Sequence, residues 1–218
     1  METETSAGKE QEDFIYVYGI IEKKQELGLK LTGLRDKPIT TIHFMQIAAL
    51  VSSYPTLYPL LEEKEAMQHA KILNEIAEKV TVIPMAYGTV FKSRDVLEEV
   101  LLKSHGAIIA AFALIGGKIE LGVKVVKQQA DEIPKEIIKE ILDLLNKSSV
   151  RCAEGNKFSE RLLLNYSFLV DENKFDEFSE KIAELESKHK ELKFLFTGPW
   201  PPYSFIDIKI KGEQNAAY

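Results

Sequence analysis

The side chains best suited to chemistry are four histidines and one cysteine, spread along the whole chain. None of His43, His69, His105 and His189 has a second histidine, a cysteine or a carboxylate at a spacing typical of metal ligands. We expect His69 to be a packed or solvent-edge histidine on a helix. Cys152 lies in no CxxC pair and in no known nucleophile signature. The sequence therefore predicts no catalytic residues, no bound metal and no cofactor.

Composition excludes several classes of function. A formal net charge of −6 argues against a nucleic-acid partner held by phosphate contacts. The longest strongly apolar run, residues 107–115, is far shorter than the roughly 20 residues that a membrane-spanning helix needs. Residues 1–13 are polar, lack the apolar core of a secretory signal and are predicted to be disordered. With a lone cysteine, these features favour a soluble cytoplasmic protein with no membrane partner.

The first half of the chain mixes strand and helix patterns. Residues 14–20 are apolar on both faces, which suits a central strand covered from both sides. The elements predicted after it are a loop over 22–38, a hairpin over 39–52 turning near Met45, a helix over 62–79, a strand over 80–83, a helix from Ser93 to Gly116, and a strand over 118–126. The last strand alternates cleanly, with Leu121 and Val123 facing inward and Glu120 facing outward.

A change of composition at residues 128–134 predicts a linker between two domains. The elements predicted after it are a helix from Pro134 to about Ser148, a strand over 162–170, a helix over 175–189, a strand over 192–196, a turn over 197–202 and a final strand over 203–210. This order favours an α+β fold made of two small ferredoxin-like α/β sandwich domains. We predict an N-terminal domain over residues 14–130 and a C-terminal ferredoxin-like domain over residues 131–212.

Residues 197–205, with the sequence TGPWPPYSF, hold three prolines, a glycine and the only tryptophan of the chain. Such a run predicts a stiff bend with few backbone hydrogen bonds. One interpretation, which we prefer, is a rigid corner in which Trp200 fills the core. The other is an aromatic platform for a partner, since Trp and Tyr are low-entropy anchors. The candidate partner-binding residues are Trp200, Pro201, Pro202 and Tyr203.

Four segments together resemble the gas vesicle protein F/L family. They are an early tyrosine-rich strand at residues 16–19, a His-Ala pair at residues 69–70, the run VIPMAYGTVF at residues 82–91, and TGPWPPYSF at residues 197–205. The last run matches the family motif at every position, and the order and spacing agree over roughly residues 14–211. One departure is Ala86, where the family commonly has a basic residue, so a charge contact made there by relatives has no counterpart here.

The resemblance implies a non-enzymatic accessory or minor structural protein that acts in gas vesicle assembly. Its implied partners are the major hydrophobic shell protein, whose aggregation it would prevent during nucleation, and other gas vesicle accessory proteins. Its implied location is the cytoplasm, in association with gas vesicles. One alternative is a small-molecule-binding regulatory protein with a ligand cleft between two ferredoxin-like domains. The other alternative is an enzyme with an unrecognised site between the domains.

Overall fold

The computed structural model of the chain describes residues 13–24, 31–60, 62–128, 132–206 and 208. The N-terminal tail that the sequence predicts to be disordered lies outside these residues, except for Asp13. Residues 129–131 of the predicted linker also lie outside them.

The first sheet contains five strands, four of which follow the order β2-β3-β1-β4, while β5 also pairs with β1. The strands are β1 (Phe14–Glu22), β2 (Thr40–Phe44), β3 (Ile47–Tyr54), β4 (Val82–Pro84) and β5 (Val90–Phe91). Strand β1 is central and buried along most of its length, as its apolar sequence predicts. The predicted hairpin is confirmed, because β2 and β3 pair antiparallel across a turn in which Met45 has a φ of 49°.

Two helices accompany the strands of the first sheet, one between β3 and β4 and one after β5. Helix α1 spans Glu63–Ala77 and helix α2 spans Arg94–Ile115, close to the predicted limits. The predicted N-cap of α2 is present, since the Ser93 hydroxyl accepts the Val96 N–H at 3.4 Å. Helix α2 ends where Gly117 takes a φ of 66°, a left-handed conformation that glycine adopts without steric cost. A short 3-10 turn, Leu34–Asp36, lies within the predicted loop.

The second sheet has four strands in the order β7-β8-β6-β9. Its elements are β6 (Lys118–Lys127), α3 (Lys135–Lys147), β7 (Arg151–Glu154), β8 (Leu162–Asp171), α4 (Phe175–Lys188) and β9 (Leu192–Trp200). The order strand–helix–strand–strand–helix–strand is that of the ferredoxin-like motif. Strand β7 was not predicted, because four residues are too few for a clear alternation pattern.

Both helices of this motif pack on one face of the second sheet. The buried core joins inward-facing residues of β6, β8 and β9 to apolar residues of the helices, namely Leu121, Val123, Val125, Phe168, Val170 and Phe194 from the sheet with Ile141, Leu145, Phe178 and Ile182 from α3 and α4. Each such side chain stabilises the fold by about 1.5–3 kcal/mol through burial alone. The alternation predicted for residues 118–126 therefore identifies correctly which side chains of β6 face the core.

The strand order of the first sheet also matches that of a ferredoxin-like motif. Its first crossover differs, because the described residues between β1 and β2 contain the 3-10 turn and no α-helix. The predicted α+β class with two ferredoxin-like sandwiches is thereby confirmed. The chain forms two compact units, one containing β1, β2, β3 and β5 and the other containing β6 to β9.

The predicted domain limits of 14–130 and 131–212 stay a prediction. The pairing of β6 bears on these limits. Strand β6 lies before residue 130, in the predicted N-terminal domain, and yet it pairs antiparallel with β8 and β9, which lie in the predicted C-terminal domain.

Two local predictions near the end of the chain are wrong. Strand β9 continues to Trp200 rather than ending at Phe196, because it keeps pairing with β6 past the glycine and proline of the predicted turn. The predicted final strand over residues 203–210 begins instead with a 3-10 turn, Tyr203–Phe205, and its residues 207, 209 and 210 lie outside the described part of the chain. The turn takes the place of a strand here because Ser204 donates two hydrogen bonds to the Glu120 side chain and the Phe205 N–H donates to the Pro202 carbonyl.

Candidate partner-binding surface

The predicted site residues lie where β9 ends, next to an irregularity in its pairing with β6. Gly122 pairs with Thr197, whereas Glu120 pairs with Trp200, so β9 carries one extra residue between the two pairs. Gly198 has a φ of 116° at this bulge. Because side chains alternate along a strand, one inserted residue turns everything after it to the opposite face of the sheet. The side chain of Trp200 therefore lies on the opposite face of the sheet from the core-facing side chains of Phe194 and Phe196.

The exposure of Trp200 follows from this register shift. Its side chain is 44% exposed, so the prediction that Trp200 fills the core is wrong. Regular alternation along β9 would have placed Trp200 on the same face of the sheet as Phe194, and the bulge reverses that placement.

The four candidate residues divide into two exposed aromatics and two buried prolines. Tyr203 is 42% exposed, similar to Trp200, while Pro201 and Pro202 are buried. The backbone turns tightly here, since the Tyr203 N–H donates to the Pro201 carbonyl at 2.7 Å. Two rigid, buried prolines thus separate two aromatic side chains that are available to solvent.

A buried carboxylate on the neighbouring strand holds this turn. Glu120 is 7% exposed, although the sequence predicts that it faces outward. Its Oε2 accepts the Ser204 N–H at 2.8 Å, and its Oε1 accepts the Ser204 hydroxyl at 2.6 Å. The Ser204 Oγ also lies 3.1 Å from the Ser167 Oγ of β8. The predicted outward direction of the Glu120 side chain on β6 is correct. The side chain is nevertheless buried, because the turn that contains Ser204 covers it, and the sequence pattern could not show this.

A second cluster of polar side chains is buried in the unit that contains β1. His69 of α1 is 3% exposed, and its Nε2 lies 2.9 Å from the Met85 carbonyl. A carbonyl can only accept, so Nε2 carries the proton and Nδ1 accepts the Tyr16 hydroxyl at 2.8 Å. Tyr16 in turn accepts the Gly88 N–H at 3.1 Å. The packed histidine is confirmed, and it links α1 and β1 to residues 85–88.

Glu65, one turn before His69 on α1, accepts hydrogen bonds from three further side chains. Its Oε2 accepts the hydroxyls of Tyr54 at 2.6 Å and Tyr87 at 3.1 Å, and its Oε1 accepts the Arg35 Nε–H at 2.7 Å. Burial acts to raise the pKa of Glu65, but these hydrogen bonds and the nearby guanidinium outweigh it and hold the pKa below its ordinary value. Glu65 is thus an ionised carboxylate.

These groups are arranged for structure rather than for proton transfer. Burial lowers the pKa of His69, so its imidazole is neutral at pH 7. Both of its ring nitrogens are hydrogen-bonded to protein groups, and the residue is buried, so no substrate can reach them directly. Burial also raises the pKa of Tyr16. The cluster therefore fixes the segment after β4, within the run at residues 82–91.

Sequence reasoning missed Glu120 as a member of the site, because its partner lies 84 residues away in the chain. Within the described residues, no three His, Cys, Asp or Glu side chains gather closely enough to hold a metal ion. No helix among those residues is long and apolar enough to cross a membrane.

Comparisons with known proteins agree on one family. The profile of the family described as "Gas vesicle synthesis protein GvpL/GvpF" matches residues 14–140 and 125–207. The chain is 37% identical to gas vesicle protein F1 of Halobacterium salinarum, with 92% of this chain and 96% of that protein aligned. It is 32% identical to gas vesicle protein F of Haloferax mediterranei, over 93% of this chain and 98% of that protein.

Solved structures share the fold. The crystal structure of gas vesicle protein GvpF from Anabaena superposes with a TM-score of 0.81 at 20% identity, covering 90% of this chain and 97% of that one. GvpF from Microcystis aeruginosa superposes with a TM-score of 0.77 at 18% identity, covering 89% and 99%. The complete TGPWPPYSF run, the two ferredoxin-like sheets and these alignments lead to one conclusion: the chain belongs to the gas vesicle protein GvpL/GvpF family.

Proposed function

We propose that this protein is a non-enzymatic accessory component of gas vesicle formation that binds the major hydrophobic shell protein. In this role it keeps the shell protein from aggregating during nucleation and works beside other gas vesicle accessory proteins. It acts in the cytoplasm, in association with the growing vesicle. Membership of a family described as gas vesicle synthesis proteins supports the process, and the surface described above supports the binding.

The observation that carries the binding proposal is the exposure of Trp200 and Tyr203 next to two buried prolines. An apolar partner gains most from large aromatic side chains, which bury much area with few rotatable bonds. Pro201 and Pro202 already restrict the backbone, so little conformational entropy is lost when the aromatics make contact. These properties fit a very hydrophobic protein partner.

The absence of an enzymatic role is supported by the state of the buried polar groups. The carboxylates of Glu65 and Glu120 and both ring nitrogens of His69 are hydrogen-bonded within the protein. All three side chains are buried, and groups hydrogen-bonded in this way contribute to the stability of the fold.

The test is a binding and aggregation assay with purified shell protein. The shell protein is diluted from denaturant into buffer with and without this protein, and light scattering follows its aggregation. We expect the wild-type protein to suppress scattering and to bind in a pull-down. We expect Trp200→Ala to weaken binding by about 2 kcal/mol or more, which is roughly a 30-fold rise in Kd.

The matched control is Phe158→Ala. Phe158 is an aromatic residue of the same unit, and its side chain is 76% exposed, so its loss removes a similar apolar area outside the proposed surface. We expect this variant to bind and to suppress scattering like the wild type. An intact wild-type chain that neither binds the shell protein nor changes its aggregation would refute the proposed function.

A further inference from the structure

We propose that Glu120 is a positioning residue whose carboxylate holds Ser204 and thereby presents Trp200 and Tyr203 to the shell protein. This inference rests on the proposed function, since it assigns to a buried side chain the task of shaping that binding surface. Glu120 itself makes no contact with the partner.

The first support is the burial of a carboxylate on a strand face turned away from the core. Its neighbour Leu121 belongs to the core, so Glu120 points to the other face, where a charged side chain ordinarily stays in water. Burying a carboxylate is costly unless strong donors replace the lost water. In the described part of the chain, one residue supplies the hydrogen bonds that this carboxylate accepts, and that residue is Ser204.

The second support is the geometry of the two hydrogen bonds. The Ser204 N–H and hydroxyl each donate to a different oxygen of Glu120, at 2.8 Å and 2.6 Å. Two bonds to one residue fix its direction as well as its distance, and charged acceptors make the stronger kind of bond. The 3-10 turn that contains Tyr203 is therefore held from its middle residue.

The third support is that Glu120 holds both sides of the candidate surface. Its backbone is the register partner of Trp200, and its side chain holds Ser204, the residue after Tyr203. Pro201 and Pro202, the two residues between the aromatics, are buried. One residue of β6 thus sets where both exposed aromatics stand.

The test compares four variants of the full chain with the wild type. Glu120→Gln replaces one acceptor oxygen with a donor amide, and Ser204→Ala removes the hydroxyl bond alone. Ser204→Thr keeps both donors and serves as the rescue. Glu177→Gln changes the net charge by the same amount as Glu120→Gln, at an exposed ion pair with Lys181 on α4.

Two measurements are made on each variant. Because Trp200 is the only tryptophan, acrylamide quenching and emission anisotropy report its surroundings directly without a partner. We expect Glu120→Gln and Ser204→Ala to quench more easily and to show lower anisotropy. We also expect their Kd for purified shell protein to rise about tenfold, as the loss of a charge-assisted hydrogen bond would give. Ser204→Thr and Glu177→Gln should match the wild type in both measurements.

The outcomes separate this inference from the proposed function. If the wild type does not bind shell protein, the proposed function fails, and unchanged quenching in Glu120→Gln and Ser204→Ala would then overturn the positioning role as well. If the wild type binds, the inference is overturned when both variants keep the wild-type Kd, whatever their quenching. Should Glu120→Gln lose its far-ultraviolet circular dichroism, Ser204→Ala decides, because Ser204 is exposed and its truncation leaves the core unchanged.

Discussion

Glu120 and Trp200 are register partners across β6 and β9, and the backbone oxygen of Glu120 lies 2.8 Å from where a Cβ on Gly198 would stand. This contact joins the bulge in β9 to the residue that holds the following turn. Real Cβ atoms do not approach backbone that closely, so the glycine is required by space as well as by its positive φ.

We therefore expect Gly198→Ala to destabilise the protein by about 1–3 kcal/mol. The new methyl group meets the Glu120 oxygen, and a φ of 116° is strained for any L-residue. Chemical denaturation with circular dichroism measures the change. The control is Gly106→Ala in α2, where no atom beyond the neighbouring residues and backbone of the same helix lies within 4 Å of the added Cβ, and a gain of about 0.5–1 kcal/mol is expected. Equal stability of the two variants would contradict this prediction.

Trp200 and Phe194 stand on the same strand and should respond oppositely to truncation. Phe194→Ala removes a core side chain and is expected to cost about 3–5 kcal/mol. Trp200→Ala removes a half-exposed side chain and should change the free energy of unfolding by much less. Thermal melts compare the two, and the emission maximum of the wild-type tryptophan should lie toward the red. A large loss of stability in Trp200→Ala would restore the core-filling interpretation.

His69 should make the protein less stable in mild acid. Burial holds its folded-state pKa below the unfolded value of about 6.5, so the unfolded state binds more protons between those two values. The stability that neutral His69 gives the folded state is fully present above about pH 6.5. It falls as the pH drops toward the folded pKa, with a slope of at most about 1.4 kcal/mol per pH unit.

Urea denaturation at pH 7, 6 and 5 tests this sign. We expect His69→Gln to be less stable than the wild type at pH 7, because it leaves Tyr16 or the Met85 carbonyl poorly matched, and to show a shallower pH dependence. The exposed His43 gives the control substitution His43→Gln, which should keep the wild-type slope. A His69→Gln slope equal to that of the wild type would show that the histidine does not carry the effect.

Removing the Tyr54 hydroxyl should be costly despite the small change in volume. Tyr54→Phe deletes a 2.6 Å hydrogen bond to the buried, ionised Glu65, and bonds to charged groups are worth about 1.5–3 kcal/mol. Tyr58→Phe makes the same chemical change at an exposed position and should alter stability by no more than about 0.5 kcal/mol. Equilibrium unfolding of the pair checks the difference, and similar values would contradict a structural role for the Glu65 cluster.

The regular elements could be predicted because their patterns are local. The alternation from Ile119 to Val125, the N-cap at Ser93 and the stop at Gly117 each depend on residues a few positions apart. The complete TGPWPPYSF run and its fellow segments pointed to the family for a different reason, since they match a known sequence rather than a physical rule.

What failed depended on events that local patterns do not encode. The extra residue in β9 reverses the face of Trp200, and Gly198, the one local signal, does not show whether the strand continues through a bulge or ends in a turn. The sequence pattern predicts that Glu120 faces solvent, because it does not show that Ser204 covers this side chain. The partners of His69 were also beyond the range of local patterns, since Tyr16 lies 53 residues before it and Met85 lies 16 residues after it.

The separation between Glu120 and Ser204 also sets an order of events during synthesis. The carboxylate must stay hydrated on the nascent chain until a residue 84 positions later has been made. At about 5–20 residues per second this is an interval of roughly 4–17 seconds. The side chains of Trp200 and Tyr203 can therefore take their final positions only after the strands of the second sheet have been made, so this turn is among the last parts of the second sheet to form.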